Sequence, residues 1–256
     1  MLALFALVIF GPLTNLVLWS VAESWYFPHA LPNEYGFSFW QRVFRPTGNA
    51  TQSLVLSVTI ATLTVAVCLA VSVPAAYALA RLRLPGRTAI LLLFLLPQAF
   101  PDVPIYINIA RSFYELRLNG TVLGVVLVHA VHGLVYSVWI ATAAFAAVDR
   151  DLEEAARNIG AGPIRAFATV TLPLAAPGIV ASAIFVFLES LDEFTGTYFV
   201  GAPDVMTLPM IMFRASMEGN YQIASITALV LLVPSIGFMI VVERVLKADV
   251  LARIGS

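Results

Sequence analysis

EAARNIGAGPIRAFATVTLP, residues Glu154 to Pro173, is a polar stretch set against two long apolar segments. Neither the preceding segment, 118–148, nor the segment that begins within the stretch, 166–188, contains Asp, Glu, Lys or Arg. A charge-free run of about 20 residues is long enough to cross the roughly 30 Å hydrocarbon core of a membrane as a helix. The polar stretch is therefore expected to connect two membrane-spanning helices.

The composition excludes an ordinary soluble domain. Hydrophobic residues make up 60% of the 256 residues and charged residues only 11%, whereas soluble domains carry about 25% charged residues. A formal net charge of −1 provides no basic surface, so a nucleic-acid partner is not expected. The single cysteine, Cys68, lies in an apolar run and is predicted to be a buried small residue rather than part of a disulfide.

The distribution of charge predicts an all-α integral membrane protein with six transmembrane helices in one domain, 1–256. Residues 195–213 are apolar too, but their Gly and Pro residues favour a folded loop or short helices over a seventh span. The spans are placed at about 1–22, 53–80, 88–110, 119–148, 173–198 and 220–243, with a connecting loop at 149–172.

The basic residues orient these helices, because cytoplasmic loops carry an excess of Lys and Arg. If both termini are cytoplasmic, most of the 14 Lys and Arg residues lie on the cytoplasmic side. The first segment has no Lys or Arg before its apolar run, so an uncleaved span is favoured over a cleaved signal peptide. The 149–172 loop is then expected in the cytoplasm.

Two short helices with a sharp turn between them are predicted in this loop. Asp151, followed three residues later by Glu154, is the predicted N-cap of the first helix. Gly160 suits the left-handed residue after a helix end, and Pro163 suits the first turn of a second helix. At helical spacing, the first helix carries one narrow apolar face, formed by Leu152, Ala155, Ala156 and Ile159.

The spacing of the whole stretch is similar to the coupling motif of ABC importer permeases: E-A-A, three residues, Gly, nine residues, an aliphatic residue, one residue, Leu-Pro. The chain therefore resembles the permease subunit of a binding-protein-dependent type I importer, and is most similar to the putrescine and spermidine branch. The resemblance assigns ATPase coupling to Glu154, Ala155, Ala156, Gly160, Leu172 and Pro173.

The resemblance also implies partners and the absence of enzymatic activity. No G-x-x-x-x-G-K-[ST] sequence is present, so no cofactor is expected in this chain, and ATP and magnesium are expected on a separate ATPase subunit dimer. A second permease subunit, as a homologous heterodimer partner, and an extracytoplasmic solute-binding protein are implied as well. The implied location is the bacterial inner (cytoplasmic) membrane.

Ionisable residues within apolar segments are the first candidates for a solute pathway, because they are expensive to bury in a membrane. Asp102 lies between two prolines, which predict a broken helix lining a cavity. His129 and His132 are three residues apart, with Tyr136, a further candidate for the solute pathway, one turn further on. Because no third metal ligand is evident, no metal site is predicted, and interhelical hydrogen bonding is preferred for the two histidines.

The densest acidic group, Glu189, Asp192 and Glu193, is predicted to share one helical face at the outer end of the fifth span. It would be an anionic patch for a cationic solute, or simply a solvated helix end. With the similarity of residues 190–209 to polyamine permeases, this favours a polyamine or another small cationic solute. Importers of sugars, opines, phosphonates or iron remain alternatives.

Two other classes of membrane protein remain as alternatives. A stand-alone secondary transporter or channel would explain the spans and the buried acids, but the 149–172 loop would then have no role. An intramembrane enzyme would need a serine with a base, a metal cluster or an aspartyl pair, and Asp102 with the two histidines does not meet that need.

Overall fold

A computed structural model describes residues 2–45 and 48–254, and the described chain is almost entirely helical, as predicted. One two-stranded antiparallel sheet joins β1 (Ala22–Ser24) to β2 (Glu34–Tyr35). The first helices are α1 (Leu2–Ser20), α2 (Ser38–Val43), α3 (Ala50–Arg81), α4 (Arg87–Phe94), α5 (Leu96–Ala99), α6 (Asp102–Glu115) and α7 (Val122–Ala147). The later helices are α8 (Arg150–Asn158), α9 (Pro163–Ala166), α10 (Leu172–Asp192), α11 (Thr195–Val200), α12 (Leu208–Met217) and α13 (Tyr221–Ile254).

Four helices within the described ranges are long and apolar enough to cross a membrane. They are Ala50–Arg81, Val122–Ala147, Pro163–Asp192 and Tyr221–Ile240. The first predicted span corresponds to α1. The third predicted span is divided among α4, α5 and α6, with the break at Phe100 and Pro101, so the predicted interruption beside Asp102 is present.

The fifth predicted span, 173–198, differs from the structure at both ends. A helix runs without a gap from Pro163, through a π-helical turn at Phe167–Thr171, to Asp192. The backbone of Glu193 is extended, and α11 begins only at Thr195. The helix therefore begins inside the predicted loop, with Pro163 in its first turn, and ends before the predicted boundary, where the extended backbone of Glu193 interrupts it.

Helices α3, α7 and α10 pack side by side and form the centre of the molecule. Small residues permit this close approach. A Cβ atom at Gly133 of α7 would lie 2.9 Å from the Cys68 sulfur and 3.2 Å from Val186, and one at Gly178 of α10 would lie 2.3 Å from the Cβ of Ala144. Cys68 is fully buried, as predicted.

The predicted irregular region between the fifth and sixth spans contains α11 and α12, which are 6 and 10 residues long. Helix α11 packs on α6 and α7, and α12 packs on α13. This region therefore forms the end of the bundle at which α10 finishes, while α8 and α9 form the end at which α10 starts.

Candidate coupling segment and solute pathway

The coupling segment, defined here as residues 149–173, starts with a capped helix. The carboxylate of Asp149 accepts a hydrogen bond from the backbone N–H of Asp151 at 3.0 Å, and α8 begins at Arg150. The predicted cap at Asp151 is therefore wrong by two residues. Because the chain leaves α7 in an extended conformation at Val148 and Asp149, Asp149 takes the cap position and Asp151 falls in the first turn.

Gly160 ends α8 in the left-handed conformation that its position predicts, with φ of +96°. The N–H of Ala161 bonds to the carbonyl of Ala156 at 3.0 Å and the N–H of Gly160 to that of Arg157 at 3.0 Å, which closes the helix end. A Cβ at Gly160 would meet no atom within 4 Å, so glycine is required here for its backbone angle alone. Pro163 then opens α9, as predicted.

The apolar face predicted on α8 is open in the isolated chain. Leu152 is 49% exposed and Ile159 is 89% exposed, and Ala155 is exposed between them. Ile164, which is not among the predicted coupling residues, is 84% exposed on α9, the short helix that contacts α8. Exposed apolar groups of this kind, rimmed by charged residues, are typical of a protein-protein contact.

Glu153, and not its neighbour Glu154, is the buried carboxylate of α8. Its side chain is 8% exposed, whereas Glu154 is exposed. Tyr77 donates to its Oε1 at 2.7 Å and Thr171 to its Oε2 at 2.9 Å. Arg157 donates to Oε1 at 2.8 Å. Local sequence pattern does not distinguish Glu153 from Glu154, because its partner Tyr77 is 76 positions away in the chain.

Electrostatics keep this carboxylate ionised. Burial alone would raise the pKa of Glu153, but the hydrogen bonds from Tyr77 and Thr171 outweigh it, together with the charges of Arg157 and Arg81, and hold the pKa below its ordinary value. The two residues predicted for coupling at the end of the segment lie nearby. Leu172 packs on the apolar cluster that includes Phe145, and Pro173 occupies the first turn of α10.

Inside the bundle, His129 forms the interhelical hydrogen bonds that its position predicts. Its Nδ1 lies 2.7 Å from the hydroxyl of Ser190 in α10, and its Nε2 lies 2.8 Å from the hydroxyl of Thr197 in α11. The carboxylate of Glu193 lies 3.3 Å from the same Nε2 and accepts the backbone N–H groups of Gly196 and Thr197. Glu193 therefore caps α11, and both of its carboxylate oxygens accept hydrogen bonds from backbone N–H groups of the protein.

A second histidine connects the broken third span to α7. The hydroxyl of Tyr106 in α6 lies 2.7 Å from Nδ1 of His132, and Oδ1 of Asp102 lies 3.5 Å from Nε2. Asp102 is 59% exposed at its side chain. One turn further along α7, the hydroxyl of Tyr136 accepts from Gln98 at 3.3 Å. These polar groups form the strip beside the break, in which Tyr106 and His132 are buried, Tyr136 is half-buried, and Asp102 and Gln98 are exposed.

Of the three acids predicted on one helical face, Glu189 and Asp192 lie on α10, whereas Glu193 does not. Helix α10 ends at Asp192, so Glu193 leaves the helical register and turns toward His129. Asp192 is exposed beside α12 and α13, where it lines a cavity with Met212. Glu189 interacts electrostatically with His132, Asp192 and Asp102. Glu189 and Asp192 therefore remain together on α10 as predicted, whereas the prediction that Glu193 shares their face is wrong, and Glu189 also belongs to the strip beside the break.

Comparison with known proteins identifies the family of this chain. The profile of binding-protein-dependent transport system inner membrane components matches residues 69–248. The ABC transporter permease protein ORF1 of Streptomyces antibioticus is 33% identical over 76% of this chain and 86% of that protein. The trehalose transport system permease protein SugB of Mycobacterium tuberculosis is 30% identical over 84% and 80%, respectively.

A third relative and a solved structure agree with this assignment. The 2-aminoethylphosphonate transport system permease protein PhnV of Salmonella paratyphi A is 28% identical over 95% of this chain and 91% of that protein. A bacterial ABC transporter that imports the acidic polysaccharide alginate has a chain with the same fold, with a TM-score of 0.69 and 20% identity over 96% of this chain and 92% of that chain. The protein therefore belongs to the family of binding-protein-dependent transport system inner membrane components, as a membrane-spanning ABC importer permease subunit that is not itself an enzyme.

Proposed function

We propose that this chain forms half of a solute pathway and receives the movement of an ATPase through its coupling segment. The observation that carries the proposal is the apolar surface of Leu152, Ile159 and Ile164, exposed on two short helices between two membrane-spanning helices. An ATPase groove that covered this surface would remove apolar area from water, which favours docking. Glu154, exposed on the same helix, would add a charge at the rim.

The proposed assembly contains four kinds of component. Two ATPase subunits bind ATP and magnesium, a homologous second permease completes the pathway, and a binding protein delivers solute from outside. When the two ATPase subunits approach each other and separate again, they move the coupling segment of this chain and the corresponding segment of the second permease. In this assembly the chain lies in the bacterial inner membrane with both termini in the cytoplasm, as its basic residues favour.

Cysteine crosslinking in the assembled complex tests the docking surface. A cysteine at Ala155, which lies on the exposed face of α8, is expected to crosslink to a cysteine at the rim of the ATPase groove. Asn158 is exposed on the same helix and lies about 100° from Ile159 and about 60° from Ala155, at the edge of that face, so Asn158→Cys is the matched control and is expected to crosslink more weakly. Absence of crosslinks from both Ala155 and Ala156 in an intact complex would contradict the proposal.

For the solute, we propose a small molecule that carries an ammonium group. The support is the strip beside the break, where Asp102 and Glu189 lie near Tyr136 and where an ammonium group would find carboxylates in a low-dielectric passage. The relative named for 2-aminoethylphosphonate transport is consistent with such a solute. The relatives described above provide no support for a polyamine, so the proposal extends to amines in general.

The binding protein of the system provides the test of this narrower proposal. Its thermal stability would be measured with 2-aminoethylphosphonate, putrescine, trehalose and molybdate, since a bound ligand stabilises the folded state. Stabilisation by an amine is expected. Stabilisation by trehalose or molybdate alone would contradict the amine proposal and leave the importer assignment intact.

A further inference from the structure

A single buried carboxylate joins the coupling helix to both neighbouring spans. We infer that Glu153 is a positioning residue that makes α8 move together with the ends of α3 and α10, an inference that rests on the proposed docking of an ATPase on α8. Tyr77 belongs to α3, and Thr171 belongs to the π-helical turn that leads into α10. Both donate to this carboxylate at hydrogen-bond distance.

The arrangement uses both oxygens of Glu153. Oε1 accepts from Tyr77 and from Arg157, and Oε2 accepts from Thr171. Hydrogen bonds to an ionised group are stronger than those between neutral groups, and a buried carboxylate that loses a partner is left with an uncompensated charge. Sliding α8 along α3 or α10 would break one of these bonds, so a joint movement of the three elements is favoured.

Two arginines strengthen the connection to α3. Arg150, the first residue of α8, donates from Nη2 to the carbonyl of Ala80 at 3.0 Å. Nε of Arg81 lies 3.6 Å from Oε2 of Glu153, and within residues 2–45 and 48–254 neither Nε nor Nη2 of Arg81 has a hydrogen-bond partner. The buried Arg81 guanidinium, with a side chain 8% exposed, therefore depends on the Glu153 charge for compensation.

Docking and positioning use different sides of α8. The apolar face of Leu152 and Ile159 is open, whereas Glu153 points into the protein beside a cavity of about 170 Å³ lined by Tyr77 and Arg81. Positions 152 and 153 are about 100° apart on a helix. One side of the helix can thus contact the ATPase while the other remains bonded to the spans.

A solute-independent experiment tests this inference in the full complex of permeases, ATPases and binding protein. The reporter is a cysteine at Gln98, in the strip beside the break, and native Cys68 is fully buried and so does not compete for the label. The rate of maleimide labelling is compared without nucleotide and with ATP plus orthovanadate. Coupling between the ATPase and the pathway is expected to change this rate by at least about five-fold.

The test variant is Glu153→Gln, which keeps the shape of the side chain but removes the charge that Arg157 and Arg81 require. We expect the Ala155 crosslink to persist and the nucleotide-dependent change in labelling to fall below about two-fold. The matched control is Glu218→Gln, because Glu218 accepts from Arg214 at 2.9 Å in the same i, i+4 relation but is 60% exposed. The Glu218→Gln variant should retain the full nucleotide-dependent change in the labelling rate.

Full nucleotide-dependent labelling in Glu153→Gln, with the crosslink present, would overturn the inference and leave the proposed docking intact. Absence of the crosslink with the native Glu153 would instead refute the docking, and the inference with it. Should Glu153→Gln fail to assemble, Tyr77→Phe removes one hydrogen bond and no charge. A reduced nucleotide-dependent change in the labelling rate of the assembled Tyr77→Phe complex supports the inference, and an unaltered change in that rate contradicts it.

Discussion

The cluster around Glu153 and the cluster around His129 stabilise buried polar groups in different ways. Glu153, in the coupling segment, is an ionised carboxylate held by Arg157 and by two hydroxyl groups. His129, inside the bundle, is held by the hydroxyls of Ser190 and Thr197 and lies 3.3 Å from the Glu193 carboxylate, with no arginine among these partners. Arginine is expensive to bury in hydrocarbon, whereas hydroxyl groups on neighbouring helices are not.

The difference indicates two roles. The charged cluster joins α3, α8 and the start of α10, which are the elements next to the proposed ATPase contact. The cluster of His129 joins α7 to the opposite end of α10 and to α11, where Glu193 caps the short helix. We therefore expect damage to the first cluster to affect coupling and damage to the second to affect the packing of the bundle.

The largest effect is expected from Glu153→Ala. Removing one partner of a buried ion pair leaves the Arg81 guanidinium uncompensated, and such losses are typically about 3 kcal/mol or more. Thermal unfolding of the purified complex in detergent measures this effect. Glu218→Ala, at an exposed pair, is the control and should change stability by less than about 0.5 kcal/mol. Equal effects of the two substitutions would contradict a special role for burial.

A smaller loss of stability is expected from His129→Ala. The substitution leaves the hydroxyls of Ser190 and Thr197 without their partner. Leaving buried polar groups unpaired in this way costs about 2 kcal/mol of stability. The midpoint of thermal unfolding should fall, while nucleotide-dependent labelling at Gln98 should persist below that midpoint. Loss of the labelling response without loss of stability would contradict the division between the two clusters.

The next effect in size concerns the turn between α8 and α9. Serine at Gly160 must adopt a positive φ, which adds about 1 kcal/mol of strain, so Gly160→Ser should weaken coupling more than stability. Gly162→Ser is the matched control, because Gly162 also has open space around it but a φ of −65°, at the N-cap of α9. The ratio of labelling rates with and without nucleotide measures both variants, and indistinguishable ratios would refute the requirement for glycine at Gly160.

The smallest effect is a dependence of stability on pH. Because the pKa of Glu153 is lower in the folded protein, its ionised form contributes stability that is fully present above the ordinary value of 4.5 and is lost as the pH falls through the folded pKa. Thermal unfolding of the complex, measured at descending pH below 4.5, should show this loss of stability in the protein that retains Glu153. Glu153→Gln should lack that part of the decline, and an unchanged profile would contradict the assignment.

Local sequence patterns were sufficient for much of the coupling segment. The positive φ at Gly160 and the start of α9 at Pro163 follow from the conformational preferences of single residues. The break before Asp102 follows from two nearby prolines in the same way. The N-cap was misassigned to Asp151 because Asp149 has the same side chain, and only the path of the chain out of α7 distinguishes the two.

The buried clusters could not be predicted from local pattern, because their members are distant in the chain. Glu153 and Thr171 are 18 positions apart, and His129 is 61 positions from Ser190 and 68 from Thr197. Adjacent Glu153 and Glu154 are chemically identical, and the packing of α8 against the π-helical turn at Phe167–Thr171, with the hydrogen bonds from Tyr77 and Thr171, decides which is buried. The departure of Glu193 from the helix that carries Glu189 and Asp192 has the same origin, since it depends on where α10 ends.

A cryo-EM structure of the assembled transporter, without nucleotide and with ATP plus orthovanadate, tests the central claim most directly. We expect the ATPase to cover Leu152, Ile159 and Ile164 in both states. We also expect α8 and the adjoining ends of α3 and α10 to shift as one unit. The hydrogen bonds from Tyr77, Thr171 and Arg157 to Glu153 should be retained in that shift. An exposed apolar face on α8, or a shift of α8 that leaves α3 and α10 in place, would contradict the central claim.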